Sequence, residues 1–385
     1  MAHTRQLFLK TSNNTAHAQF ITKLFINDPV FLISLILALL SCFWASPKIE
    51  YIDFKVLACL FNLMIVVKAF EELQLLDKFA VSIINRCTDS RKVSLVMILL
   101  SFFSSMVITN DISLITLVPL TLIISRKSGM NVLLTVVLQT LAANIGSSLT
   151  PIGNPQNLYI FSYYNLTASQ FFASIILFAV LGLIWLCLLN FKNARLSLEL
   201  SLSPIKTKDN NKICLWAVLF GVVILSVFEA VNYILVLLLT VTVTFFVNKK
   251  LFLKVDYPLL ITFVCFFIFI GNISSIPAVT DFMKTNLNSF ESTYFSSIIL
   301  SQVISNVPCA VFLSKFSSYW RELLLGVNIG GMGTIIASLA SVISYKLFIK
   351  ENPECSREYI IKFSIYNIVS LALFTFINYF AIIRR

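Results

Sequence analysis

Histidine and paired cysteine are what this sequence most clearly lacks. The chain of 385 residues has two histidines, His3 and His17, and both precede the first apolar segment. A histidine metal site is therefore excluded from the apolar segments. The eight cysteines lie far apart and include no CxxC pair, so neither a disulfide framework nor a cysteine metal site is indicated. There is also no phosphate-binding glycine loop and no paired acid and base, so an enzyme is the least favoured class and no cofactor is expected.

Charge is also scarce along the chain. Charged residues make up 12% of the sequence and hydrophobic residues 58%, and the mean hydropathy is +0.89. Several apolar stretches are long enough to cross a hydrocarbon core about 30 Å thick, which predicts an all-α polytopic membrane protein. We attribute the net charge of +11 to basic loops of such a protein and expect lipid, but no nucleic acid, as a partner. No removable signal peptide is expected, because about 27 largely polar residues precede the first apolar run.

Two apolar runs are interrupted by short polar tips. The arms and tips are Val93–Ile108, Thr109-Asn110-Asp111 and Ile112–Ser125, then Ser292–Ile304, Ser305-Asn306-Val307 and Cys309–Ser317. The first two arms would reach about 24 and 21 Å at 1.5 Å per residue, each short of a full crossing. Pro308 suits the first turn of a helical arm, where it forfeits no hydrogen bond. We predict two re-entrant helical hairpins, with two kinked full spans as the alternative.

A second pair of breaks follows the hairpins. Glycine, proline and small polar residues fill Asn144–Pro155 in the first half and Asn328–Thr334 in the second. Paired interruptions at corresponding positions of two halves indicate the binding site of a secondary transporter. Each half is interpreted as two spans, a hairpin, a broken span and a further span.

The placement of lysine and arginine predicts the orientation. Basic residues flank the first hairpin at Arg86, Arg91, Arg126 and Lys127, which puts both of its ends in the cytoplasm. One extra span between the halves inverts the second half, so the predicted fold has inverted-topology repeats with about nine full spans, two re-entrant helical hairpins and two broken helices. The predicted divisions are a cytoplasmic segment 1–28, a first repeat 29–190, a cytoplasmic linker 191–212, a connecting span 213–231 and a second repeat 232–385. We expect a plasma-membrane location, with the amino terminus cytoplasmic and the carboxyl terminus outside.

Helix ends at such breaks can hold ions of either sign. The last carbonyls of one helix are partly negative and the first amides of the next are partly positive, so a cation and an anion can bind side by side. The predicted substrate ligands are Thr109, Asn110, Ser147, Ser148, Thr150, Asn154, Ser305, Asn306, Gly331 and Thr334. The predicted ligands of a coupling cation are Asp111, Asn110, Asn144, Gly146, Asn306, Asn328 and Gly330. Oxygen ligands of this kind suit sodium, the only metal considered. The alternative is that these small residues serve helix packing alone.

Asp111 is the acidic residue that we place deep in the membrane. A carboxylate there is costly, so a functional role is the default hypothesis. It is predicted to ligate a cation or to carry a proton. The alternative is an N-cap of the second hairpin arm, which is compatible with either role.

At these residues the chain resembles the ion transporter superfamily. The similar strings are Thr109-Asn110-Asp111, Asn144-Ile145-Gly146, Thr150–Pro155, Ser305-Asn306 and Asn328–Gly331, and they resemble the citrate transporter and arsenical pump membrane protein group. The resemblance covers nearly the whole chain. It implies secondary active transport of an anion with sodium or protons, and its divalent-anion branch implies a homodimer with an elevator-like transport domain. In that branch both tips read Ser-Asn-Thr, so Asn110 and Asn306 match while Asp111 and Val307 depart from the pattern.

The predicted function is therefore secondary active transport of a small anion, such as a di- or tricarboxylate, coupled to sodium or protons. Neither tip contains lysine or arginine, which leaves helix ends, hydroxyls and a bound cation to neutralise an anion. An arsenite extrusion permease and a sodium/proton antiporter in which Asp111 titrates are the alternatives. A channel is disfavoured, since two gated half-sites suit alternating access.

Overall fold

The fold is helical. A computed structural model describes residues 29–198, 202–203, 205 and 209–383; the predicted segment 1–28, both histidines and part of the predicted linker lie outside these residues. The seventeen α-helices of the described residues are α1 Pro29–Ser41, α2 Phe54–Glu72, α3 Leu75–Ile84, α4 Ser90–Ile108, α5 Asn110–Ser128, α6 Leu133–Ser147, α7 Pro155–Tyr163, α8 Ala168–Asn190, α9 Asn210–Val227, α10 Tyr233–Asn248, α11 Tyr257–Ile273, α12 Pro277–Asn286, α13 Phe290–Ile304, α14 Asn306–Ser314, α15 Trp320–Gly330, α16 Leu339–Glu351 and α17 Ser356–Asn378. Short 3₁₀ turns and a terminal π-turn link or extend them. The all-α prediction is confirmed.

Length and apolar composition identify the helices that can cross a membrane. Among the described residues five stretches qualify, and a sixth does if the pair α11 and α12, bent by 97°, counts as one span. The five are Ser90–Ile108, Ala168–Asn190, Asn210–Val227, Tyr233–Lys254 and Pro353–Ala381. A polytopic membrane protein is thereby supported. The predicted number of about nine spans stays a prediction.

The chain divides into two compact units. The smaller comprises Met1–Leu57 and Asp256–Thr280, and within it α1 packs on α11. The side chain of Asn272 donates to Ser41 at 3.0 Å, which ties the two helices together. These units are defined by contacts and do not test a division into repeats. The predicted repeat boundaries therefore stay predictions.

The larger unit, Ala58–Val255 and Asp281–Arg385, contains both predicted hairpins. The first arm of each hairpin packs on the first half of the following broken helix, α4 on α6 and α13 on α15. The second arms exchange partners: α5 packs on α16 and α14 packs on α7. Each second arm therefore contacts the broken helix of the other half, and this exchange interlocks the two halves.

The arms of the first hairpin are longer than predicted, because capping extends them. Asp89 caps α4 by accepting from the backbone N–H of Lys92 at 3.0 Å, so the helix starts at Ser90. Gly129 ends α5 with φ of 70°, so that arm continues to Ser128. Both arms have 19 residues, about 28 Å of helix. Ser90–Ile108 is long and apolar enough to cross a membrane, so the argument that the first arm is too short is wrong. The arms of the second hairpin have 15 and 9 residues.

Two short helices were missed by the sequence interpretation. In α3, Ala80, Val81 and Ile84 are buried in the core against the first hairpin, whereas α12 has no buried residue. Each links a long helix to a hairpin arm, α2 to α4 and α11 to α13. Their apolar residues lie on one helical face instead of forming a run, so a search for long apolar runs passes over them.

The described part of the linker holds the base of the first hairpin. Leu196 accepts a hydrogen bond from the N–H of Ser90 at 2.9 Å, and Leu198 donates to Thr88 at 3.0 Å. The Arg195 guanidinium lies 3.8 Å from the Asp89 carboxylate. This described part of the linker thus packs on the base of the first hairpin.

Candidate functional site

The two hairpin tips have the same backbone geometry. Thr109 has φ of 73° and ψ of 152°, and Ser305 has φ of 70° and ψ of 156°. This region of backbone space is almost confined to glycine, and a residue with a side chain there costs on the order of 1–3 kcal/mol. A single residue, Thr109 or Ser305, separates the two arms of each hairpin. Asn110, Asp111 and Asn306 therefore lie in the following helix and not in a three-residue loop as predicted.

The asparagine that follows each of these two tip residues is buried. Asn110 and Asn306 are each 4% exposed, although both are strongly polar. The Asn110 amide donates to the side-chain oxygen of Asn144 at 3.1 Å, and its own oxygen accepts from the backbone N–H of Asp111. The Asn306 amide nitrogen would lie 2.8 Å from a Cβ atom added to Gly331, so it packs directly against the second broken helix. Each tip therefore seats an amide in a helix break.

The first break separates α6 from α7. Asn154 caps α7 by accepting from the backbone N–H of Asn157 at 2.9 Å. The Asn157 amide in turn donates to the carbonyls of Ser147, Ser148 and Thr150 at 3.3, 3.0 and 3.1 Å. One buried side chain thus satisfies three carbonyls that the break removes from helical bonding.

The second break separates α15 from α16. Residues 331–334 and a 3₁₀ turn at Ile335–Ala337 connect the two helices. The Gln302 side chain, on α13, donates to the Gly330 carbonyl at 2.6 Å and accepts from the Thr334 N–H at 2.9 Å. Gln302, a hairpin residue, therefore holds the second break. The first break is held instead by Asn157, which belongs to the broken helix itself.

Several contacts recur at matching positions. Thr150 and Thr334 each lie six residues after the asparagine that precedes their break. The Thr150 hydroxyl donates to the Met106 carbonyl at 2.6 Å, and the Thr334 hydroxyl to the Gln302 carbonyl at 3.1 Å. Met106 and Gln302 each lie three residues before the strained tip residue. The two halves thus attach hairpin to break in the same way.

The asparagines of the two breaks cross between the halves. Asn328 accepts from Asn154 at 3.2 Å and donates to Asn157 at 2.7 Å. Asn144 accepts from Ser338 at 3.0 Å and lies 3.4 Å from the Ser341 hydroxyl. Asn154 and Asn157 follow Asn144 by ten and thirteen residues, as Ser338 and Ser341 follow Asn328. The crossing contacts are therefore reciprocal, as two-fold pseudosymmetry requires.

Glycine is needed in both broken helices at the hairpin contact. A Cβ atom at Gly146 would collide with the backbone carbonyl of Phe102 and lie 2.7 Å from the Ser105 hydroxyl. At Gly330 it would lie 2.7 Å from the Ser301 Cβ. Hairpin and broken helix approach closely at both places, and a side chain would push them apart.

The structure brings most of the predicted site residues together. Asn110 bonds to Asn144, and Asn154 bonds to both Ser147 and Asn328. The Ser147 hydroxyl, which donates to the Asn144 carbonyl at 3.1 Å, joins these contacts into one network. Ser305 donates to the Ala337 carbonyl at 3.2 Å, and the Ser148 hydroxyl bonds within its own helix to Ile145. Asp111 is half-buried at the first tip. Ligand roles for these residues stay predictions.

Four polar residues of this region were missed: Asn157, Gln302, Ser338 and Ser341. Asn157, Ser338 and Ser341 are fully or almost fully buried. Their signal was present in the sequence, because aligning the two halves on Asn144 and Asn328 places Ser338 and Ser341 opposite Asn154 and Asn157. Gln302 had no such signal, since its counterpart is Met106. Within the described ranges no three His, Cys, Asp or Glu side chains converge to form a metal cluster.

Comparison with known proteins confirms the resemblance. The family described as citrate transporter matches residues 20–317. An uncharacterized transporter of Methanocaldococcus jannaschii is 34% identical over 319 residues, 82% of this chain and 87% of that protein. The inner membrane protein YbiR of Escherichia coli is 29% identical over 301 residues, 77% and 80% of the two chains. A transporter of Dictyostelium discoideum named arsB is 33% identical over 84 residues, 22% of this chain and 15% of that protein.

Proposed function

Because the chain belongs to the citrate transporter family, and is therefore a multi-pass membrane transporter and not an enzyme, we propose that it carries a small anion by secondary active transport. The substrate class is a di- or tricarboxylate or a similar inorganic anion. Sodium or protons supply the driving force, and the protein acts as a homodimer in the plasma membrane. The amino terminus is cytoplasmic and the carboxyl terminus outside.

One observation supports this proposal most strongly: both helix breaks receive a buried asparagine from a hairpin tip. The tips have nearly equal dihedral angles at Thr109 and Ser305, and a strained backbone kept at two places favours a functional role. Neither tip sequence supplies a lysine or arginine. An anion there is neutralised by helix amino termini and by a bound cation, and this pairing couples the two fluxes.

A second candidate, arsenite extrusion, is favoured by the short match to the transporter arsB. The match covers too little of either chain to extend a substrate to this protein. A third candidate, sodium/proton antiport, depends on titration of Asp111.

Reconstitution into liposomes tests these candidates together. We expect uptake of labelled citrate, succinate or phosphate under an inward sodium or proton gradient, and none with Asn110→Ala protein. Arsenite accumulation in inverted vesicles, without anion uptake, would favour the second candidate. Sodium-driven proton movement without any substrate would favour antiport. Absence of all three activities from protein that is folded and oriented would refute the proposal.

A further inference from the structure

Gln156, at the start of α7, is a buried polar residue for which the fold supplies no partner. It is 2% exposed, and in the part of the chain that the structure describes its side-chain amide makes no hydrogen bond. Asn154 and Asn157 beside it are buried as well, but both bond to Asn328. Burying an amide without a partner destabilises a protein, so the Gln156 side chain calls for a role other than packing.

The backbone at the start of α7 provides a further donor. Pro155 is the first residue of the helix and has no N–H, and the N–H of Asn157 donates to the Asn154 side chain at 2.9 Å. Among the described residues the N–H of Gln156 has no backbone acceptor. Side chains on a helix lean toward its amino terminus, where the helix dipole is positive. The side-chain and backbone donors of Gln156 therefore serve the same end of α7.

Two other helix amino termini lie beside this one. The helices α7 and α14 have nine residues each and pack on each other. The Tyr164 hydroxyl, just after α7, donates to the carbonyl of Ser314, the last residue of α14, at 3.3 Å. The carboxyl ends thus lie together, and the equal lengths bring the amino ends together. The start of α5 is there too, because the Asn110 N–H donates to the Gly153 carbonyl at 3.1 Å.

The second half shows that a break of this kind does not need an amide at this position. Aligning the two halves on Asn144 and Asn328 places Ala340 opposite Gln156. Ala340 is fully buried and is the second residue of α16, as Gln156 is the second residue of α7. The break in the second half is therefore built with a methyl group where the first half has an amide.

The charges of the neighbouring helices indicate which ligand fits. Neither α7 nor α14 contains a charged residue, so helix dipoles and N–H donors determine the potential between their amino ends. N–H donors at helix amino termini bind oxyanions. The carboxylate of Asp111, on α5, would repel an anion at close range, which favours the side of α7 and α14.

We infer that Gln156 binds an oxyanion group of the transported substrate, such as a carboxylate, through its side-chain and backbone N–H groups. Gln156 is then a residue that selects the substrate. The inference rests on the proposed anion transport, and it extends the predicted set of substrate ligands by a side chain that the second half lacks.

The alternative is that the Gln156 side chain only fills space. Gln156→Met keeps the approximate volume and removes the donors, whereas Gln156→Glu replaces the amide by a carboxylate that repels an anion. Gln156→Asn keeps the amide on a side chain that is shorter by one methylene. Ser162→Ala, near the other end of α7, is the matched control.

The experiment measures KM and the maximal rate for labelled succinate, citrate and phosphate in liposomes. For a probe that the wild-type protein transports, we expect Gln156→Met to raise KM about tenfold and Gln156→Glu about a hundredfold, with the maximal rate of Gln156→Met within about twofold of wild type. Gln156→Asn should lie between wild type and Gln156→Met, and Ser162→Ala should match wild type.

Thermal unfolding of the purified proteins gives a second readout. The probe should raise the melting temperature of the wild-type protein and of Ser162→Ala, and should raise that of Gln156→Met much less, because a ligand stabilises the state that binds it. A role in packing would lower the melting temperature with and without the probe by the same amount.

Several results would overturn the inference and leave the proposed function intact. One is a KM of Gln156→Met equal to that of wild type, with equal stabilisation of both proteins by the probe. Another is tighter binding of the coupling cation by Gln156→Glu, which would assign the side chain to a cation. Loss of folding in both Gln156→Met and Gln156→Asn would show that the amide is structural. Absence of cation-driven uptake of every probe by folded wild-type protein would instead overturn the proposed function.

Discussion

At the first hairpin tip Thr109 precedes Asn110 and Asp111, and at the second Ser305 precedes Asn306 and Val307. The backbone dihedral angles of Thr109 and Ser305 agree within a few degrees, and the asparagines are equally buried. What differs is the next side chain, a carboxylate at one tip and an aliphatic group at the other. A common backbone thus carries two different electrostatic environments.

The largest effect is expected for membrane topology, which tests whether the two hairpins are inverted relative to each other. If the tips approach from opposite faces, single cysteines at the exposed positions Asn210 and Lys250 should react with impermeant reagents only from the cytoplasm, and those at Asn165 and Asn288 only from outside. Labelling is expected to be all or none. Reaction of the Asn165 and Asn210 cysteines from the same side would refute the inverted arrangement.

The shared feature of the tips is tested by removing their amides. Asn110→Ala and Asn306→Ala should each reduce transport at least a hundredfold, because each leaves a break without the side chain that fills it. Asn286→Ala, at an exposed position on α12, is the control and should transport normally. Initial uptake rates in liposomes provide the measurement. Equal and nearly normal rates in both tip variants would remove the tips from the site.

The difference between the tips is tested at Asp111 and Val307. Asp111→Asn keeps the volume and removes the charge, so if the carboxylate ligates sodium, the half-saturating sodium concentration should rise at least tenfold. If Asp111 carries the coupled proton, the variant should lose accumulation driven by a pH gradient and keep substrate exchange. Val307→Ala should change neither property. Wild-type behaviour of Asp111→Asn in both assays would assign the carboxylate to helix capping.

The close approach of hairpin and broken helix should be less tolerant at the first break. Gly146→Ala places a methyl group on a backbone carbonyl, and Gly330→Ala places one on a serine side chain. We expect a loss of about 1–3 kcal/mol for each, with the larger loss at Gly146. Gly221→Ala, with no heavy atom within 4 Å of the added Cβ, should be neutral. Thermal unfolding in detergent measures the stability loss of each variant and so ranks them. A neutral effect of Gly146→Ala would contradict the close packing of hairpin and broken helix.

The smallest effect is expected at the bases of the hairpins. Asp89 caps the first hairpin and Ser289 the second. The Lys92 backbone N–H, and then the Lys92 charge, hold the Asp89 pKa below its usual value. The stabilisation is therefore full above the ordinary aspartate pKa and is lost as the pH falls through the lowered value.

Asp89→Ala should accordingly lower the melting temperature by a few degrees at pH 7 and have a smaller effect near pH 3. Ser289→Ala should cost the same at both values, because a hydroxyl does not titrate. Melting curves at the two pH values compare the variants. If the effect of Asp89→Ala did not change with pH, the charge of the Asp89 carboxylate would not contribute to the stabilisation.

Much of the architecture could be predicted from the sequence, because it depends on local composition. Apolar runs predict helices, and the polar interruptions at Thr109, Asn144, Ser305 and Asn328 mark where helices stop. Arm lengths could not be predicted as well, since Asp89 and Gly129 extend the first hairpin through caps that apolar runs do not show. The helix α3 was missed because its apolar residues lie on one helical face and form no long apolar run.

The sequence by itself determined that this is a multi-pass transporter with two similar breaks in each half, because hydropathy and helix-breaking residues act over a few turns. Only the tertiary structure decided how the breaks are filled. Asn157 reaches carbonyls of its own half, Gln302 crosses from hairpin to broken helix, and Asn144 and Asn328 each bond to the other half. The partners in different halves are up to about two hundred residues apart, and hydrogen-bond donors meet their acceptors there because each second arm packs on the broken helix of the other half.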